Sequence, residues 1–163
     1  SHKEDKIVYQ LKHNDIFETL TKALKSTVLL AKDKKLDIQI KKVTPNIAPF
    51  NYDNTKIIVA LKNVISNAID YTPDGGSIMI SVKKDAPYVE INVTDNGVGI
   101  DVTEQKNVFS KFFRSKNAQE TVSSRSGLGL YIAKEIFQKH NGNITIESKK
   151  NMGTSVTLHL PIR

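Results

Sequence analysis

The chain has 163 residues, enough to bury one substantial core and close to the usual size of a single domain. Hydrophobic residues make up 39% and charged residues 25%, with eight glycines and five prolines, which excludes disordered and fibrous classes. The net charge of +7 points to a nucleic acid or an anionic ligand, but the lysines lie in scattered pairs without interleaved aromatic base-stacking residues, so no nucleic-acid partner is expected.

Apolar runs stay as short as residues 28–31, far below a membrane span, and the polar N-terminus has no secretory core. With no cysteine for a disulfide framework, the segment is expected to be cytoplasmic.

Asn14 or Asp15 is placed as an N-cap ahead of Ile16, Leu20, Ala23, Leu24, Thr27 and Ala31, which recur at helical spacing. Leu36, Ile38 and Ile40 alternate with polar residues and predict a half-buried strand before a loop at 45–49. From about 53 to 70, Ile57, Leu61, Val64, Ile65 and Ala68 form one apolar stripe, ended by the turn Thr72-Pro73-Asp74-Gly75-Gly76.

Strands at 78–82 and 89–93 read as a hairpin. Beyond it lie a short apolar cluster (Val108, Phe109, Phe112, Phe113) and a polar run at 115–126, expected to be a mobile loop. Residues 127–140 regain helical spacing, with Gly142 as the stop, and strands at 144–148 and 156–160 close the chain. The order predicts one α+β domain, a mixed sheet covered on one face by about three helices.

Three clusters suggest chemistry. Asn63, Asn67 and Tyr71 are four apart, so they share a helix face away from the apolar stripe; an amide oxygen suits Mg²⁺, and a tyrosine ring can flank a base or ribose. A solvated polar face is the competing reading. Asp95-Asn96-Gly97-Val98-Gly99-Ile100 fixes a carboxylate at a strand end beside glycines that admit a ligand close to the backbone, or it is an ordinary turn. Ser126-Gly127-Leu128-Gly129-Leu130 sits at a helix start, where free N–H groups favour phosphate. Neither a Walker loop nor a Rossmann fingerprint occurs.

In this order and at these separations, the segments resemble the ATP-binding domain of sensor histidine kinases, within the gyrase, heat-shock chaperone, histidine kinase and mismatch-repair ATPase superfamily. The resemblance covers nearly the whole chain and implies its Bergerat-type two-layer fold. Asn63 to Tyr71 is similar to the N box, which implies Asn67 as Mg²⁺ ligand and Asn63 as a phosphate-side catalytic contact. The first glycine box gives Asp95, Gly97, Gly99 and Ile100 to the nucleotide, with Asp95 reading the adenine amino group and Thr154 joining it at the base. Phe109-Ser110-Lys111-Phe112-Phe113-Arg114 resembles the F box, whose arginine, here Arg114, approaches the phosphates. Residues 117–125 would be the ATP lid, and Ser126, Gly127, Leu128, Gly129 and Leu130 the second glycine box.

The superfamily's hydrolases and serine kinases carry a glutamate where this chain has Asn63, and an amide cannot serve as a general base. Asp70 stands where many relatives have a cation, for which Lys116 or Lys111 would compensate. The implied activity is histidine kinase catalysis with ATP and Mg²⁺: the γ-phosphate passes to a histidine on a separate dimerisation domain, then to a response regulator. The isolated domain is expected to be monomeric; a full-length membrane receptor and a protein that spans no membrane both stay open.

No phosphoacceptor motif resembling His-Glu-x-x-x-Pro is present, and His2, His13, His140 and His159 are read as structural or solvent-facing. A nucleotide-free interaction module and a stand-alone ATPase or serine kinase remain as alternatives.

Overall fold

A computed structural model describes residues 8–111, 113 and 129–163. Asp15 is the first cap: its carboxylate accepts the N–H groups of Phe17 (2.8 Å) and Glu18 (3.3 Å), and helix α1 runs Ile16–Ala31 behind it. Asp53 does the same for helix α2, Asn54–Tyr71, by accepting the Lys56 N–H at 3.0 Å.

The other end of α2 has no basic residue in its own last turn. Lys34, in a short 3₁₀ turn after α1, supplies the charge from a distance: its Nζ donates to the carbonyls of Ile69 (2.8 Å), Asp70 (3.3 Å) and Thr72 (3.0 Å). Lys34→Met keeps the aliphatic stem but strands these carbonyls, and we expect it to lower stability by about 1.5–3 kcal/mol. A reduced urea midpoint at unchanged m-value would show it; an unaltered midpoint would reject the capping role.

Five strands form one sheet in the order β2 (Asp37–Lys42), β4 (Ser77–Asp85), β5 (Tyr88–Asp95), β7 (Gly153–Pro161), β6 (Asn143–Lys149). β2 and β4 are parallel and the other pairs antiparallel, so the sheet is mixed as expected. Alternation sends Ile78, Ile80, Val82, Val89, Ile91, Val93, Val156, Leu158 and Leu160 to one buried face. Against it pack α1, α2 and helix α3 (Gly129–Lys139), with α2 in the middle. The opposite face is polar: Asn92, Thr94, Ser155 and Thr157 link their side chains across β5 and β7.

Two features depart from the expectations. A ribbon of β1 (Lys12–Asn14) and β3 (Phe50–Tyr52) was not foreseen, because three-residue strands are too short to display a period. The left-handed residue that ends α3 is Asn141 (φ 59°), not Gly142. Gly142 is needed for room, since a Cβ there would strike the His159 carbonyl.

The described histidines behave as structural or surface groups. His140 is 2% exposed; its Nε2 accepts the Asp53 N–H (3.0 Å), so Nδ1 carries the proton and donates to the Ile136 carbonyl (2.8 Å). Burial pushes its pKa down, which keeps the ring neutral while it ties α3 to the start of α2. His159 lies 3.2 Å from Glu90, and His13 is exposed on β1.

Candidate functional site

Asp95 ends β5 opposite Thr154 of β7, and its side chain continues the buried row of Ile91 and Val93. It is 5% exposed. One oxygen, Oδ1, accepts the N–H groups of Gly97 (2.8 Å) and Thr154 (3.2 Å). Among the described residues, Oδ2 has no donor. Burial pushes the carboxyl up to about 6, and the two N–H bonds only partly oppose that. A buried carboxylate oxygen left open at the end of a sheet is an acceptor waiting for a donor.

The glycines beside it have a packing reason besides the one the sequence suggested. At Gly97 a Cβ would strike the Tyr71 carbonyl, and at Gly99 (φ +70°) the Lys149 carbonyl. They therefore let the 95–100 loop lie against the C-terminal end of α2 and the β6–β7 turn. Val98 completes both contacts, its N–H donating to the Tyr71 carbonyl (2.9 Å) and its carbonyl accepting the Asn151 N–H (2.6 Å). Ile100 is fully buried behind them.

Asn63 and Asn67 lie on a half-exposed strip of α2, and among the described residues neither amide makes a hydrogen bond. The amides of Asn14 and Asn92, by contrast, are fastened to neighbours. Gly129 opens α3 directly beside this strip: its virtual Cβ lies 3.6 Å from the Asn63 carbonyl and 3.8 Å from the Asn63 Cβ. Leu130 follows it into the core at 6% exposure. The fold thus sets Asp95 beside Thr154, brings the Gly97 loop against Tyr71 at the end of α2, and places Gly129 against Asn63 on the same helix.

Tyr71 is the correction. At 8% exposed it belongs to the hydrophobic core and does not share the half-exposed strip of the asparagines, because each four-residue step advances about 40° around the helix and brings position 71 nearly in line with buried Val64. Lys111 holds its ammonium 5.2 Å from the centre of the Tyr131 ring. Arg114, Lys116, Ser126, Gly127 and Leu128, the proposed lid at 117–125 and Phe112 lie outside the described residues.

Ser148 was not singled out from the sequence. The signal was available: Ile144, Ile146 and Ser148 alternate along β6, so a hydroxyl occupies an inward position. It sits under Thr154, with Oγ to Oγ1 at 2.7 Å.

The histidine kinase-, DNA gyrase B- and HSP90-like ATPase family matches residues 52–163, which include every one of these groups. The chain belongs to this family. Among its relatives, the sensor-like histidine kinase SenX3 of Mycobacterium tuberculosis strain H37Rv is 39% identical over 125 residues, 77% of this chain and 30% of that protein. The sensor histidine kinase WalK of Bacillus subtilis is 39% identical over 113 residues, 68% of this chain and 18% of that protein. The chain therefore spans at most about a third of these relatives, by the shares just given.

The fold agrees with the family. The solved mycobacterial sensor histidine kinase MprB superposes with a TM-score of 0.78 at 27% identity, covering 93% of this chain and 99% of that one. The catalytic domain of histidine kinase ThkA gives 0.81 at 23% identity, covering 94% and 96%, a likeness of fold. The sheet and the helices packed on it are thus those of a domain of this family.

Proposed function

We propose that residues 1–163 act as one unit, the ATP-binding catalytic domain of a sensor histidine kinase. It passes the γ-phosphate of ATP to a histidine on a separate dimerisation domain, for relay to a response regulator. The observation that carries this reading is Asp95: a buried carboxylate with one oxygen fixed by two N–H groups and the other open among the described residues. An adenine amino group supplies the missing donor.

The donor set of α2 fits Mg²⁺. Asn67 offers a half-exposed, unbonded amide oxygen, and no cluster of three acidic or histidine side chains competes for a cation among the described residues. A hard cation held by one neutral oxygen takes its remaining ligands from phosphates and water, and neutralises charge on the transferred phosphoryl group. Asn63 lies one turn back, and Arg114, Lys116 and the residues from Ser126 to Leu128 complete the phosphate side in this reading. Asn63 cannot deprotonate water, so the domain holds ATP for an outside nucleophile rather than hydrolysing it.

The described helices include none long and apolar enough to cross a membrane. We place this domain in the cytoplasm, monomeric when isolated, with any membrane anchor elsewhere in the full-length receptor. Incubation with γ-labelled ATP, Mg²⁺ and a separately supplied histidine-bearing dimerisation domain should label that domain in an acid-labile, alkali-stable linkage. Steady phosphate release without the acceptor, or no label with it, would reject the assignment.

A further inference from the structure

Ser148 makes three contacts that converge on the base site. Its Oγ accepts the Ile100 N–H (2.8 Å), lies 2.9 Å from the Gly153 carbonyl, and lies 2.7 Å from Thr154 Oγ1. Two hydroxyl hydrogens must be placed among these atoms. For the Thr154 hydrogen, Ser148 is the acceptor that the described residues offer. Ser148 can donate to the Gly153 carbonyl. One arrangement satisfies both: Thr154 donates to Ser148, and Ser148 donates to Gly153.

In that arrangement Ser148 is saturated, with two bonds accepted and one donated. Thr154, 3% exposed, then presents only lone pairs to the site. Beside it, Asp95 presents only the open Oδ2. The rim that faces a base consists of acceptors, and it rejects a base whose corresponding edge is a carbonyl oxygen.

We infer that Ser148 is a positioning residue for nucleotide selection: by taking the Thr154 hydrogen, it keeps the base site an acceptor-only surface that favours a 6-amino purine over a 6-oxo purine. This rests on the assignment of Asp95 to the base. Ser148→Ala frees the Thr154 hydroxyl to rotate and donate, which a 6-oxo group can accept. Loss of the Ile100 contact, by comparison, is felt alike by both bases.

The test is a pair of calorimetric titrations of the 163-residue chain, with Mg-ATP and Mg-ITP, nucleotides that differ at this edge of the base. The unsubstituted chain should prefer ATP, Ser148→Ala should narrow the ATP to ITP ratio about tenfold, and Ser148→Thr, which keeps a hydroxyl, should restore it. A Ser148→Ala ratio equal to that of the unsubstituted chain, whether or not both affinities fall, would overturn the role of Ser148 and leave the nucleotide site standing. Equal affinity of the unsubstituted chain for ATP and ITP, or binding of neither, would overturn the assignment of Asp95 as well.

Discussion

Asp95→Asn should weaken ATP binding about a hundredfold while making the ligand-free protein more stable. The substitution is nearly isosteric. An asparagine Oδ1 still accepts the N–H groups of Gly97 and Thr154, so the loop stays anchored. The open Oδ2 becomes an NH₂ group, which meets the adenine amino group donor to donor.

The stability gain follows from the carboxyl's own titration. Its pKa is raised from 3.8 to about 6, chiefly by burial. The folded chain therefore binds this proton more readily than the unfolded chain. The group's contribution to stability is greatest below the unfolded value and declines as pH rises through about 6. At neutral pH the buried charge costs the ligand-free fold about 3 kcal/mol, an upper figure for what asparagine returns. ATP needs the ionised form, so its affinity should fall as pH drops below about 6, and that component should vanish in Asp95→Asn. Urea melts and calorimetry across this pH range check both signs. An asparagine variant that binds ATP as tightly as the parent would remove Asp95 from the site.

Asn67→Ala should abolish the Mg²⁺-dependent part of ATP binding. Affinity in excess Mg²⁺ should drop to the value measured in a chelator, because the amide oxygen is the protein's neutral ligand for the cation in this reading. Stability should change by no more than about 0.5 kcal/mol, since the side chain is half-exposed and unbonded among the described residues and alanine is the better helix former. Parallel titrations with and without Mg²⁺, set beside a thermal melt, separate the two effects. An unaltered response to Mg²⁺ would clear Asn67 of any metal role.

Much of this was written in local pattern. Asp15 and the stripe from Ile57 to Ala68 announce α1 and α2 because caps and helical periodicity act over a few residues. The alternation of Ile78 to Val82 and Val89 to Val93 announces the hairpin in the same way. Asp95 and its glycines stood out as a motif, but their reason did not. Gly97 answers to a carbonyl 26 positions earlier and Gly99 to one 50 positions later, partners that exist only once the sheet has formed.

Tyr71 shows the opposite failure. Spacing placed it with the asparagines, whereas a four-residue repeat drifts around the helix and brings its third member to the buried side. Lys34 was invisible as a functional group because it works through backbone carbonyls some 35 positions away.

The amino-acid order by itself determined the three long helices, the five strands of the main sheet and the family. It did so because local hydrogen bonding and side-chain period depend on near neighbours. Only the tertiary structure decided that Asp95 keeps one oxygen open among the described residues, that Ser148 and Thr154 share a hydroxyl contact, and that Gly129 abuts Asn63. Each is set by atoms far apart in the chain, and a buried polar group is defined by which of those atoms reach it.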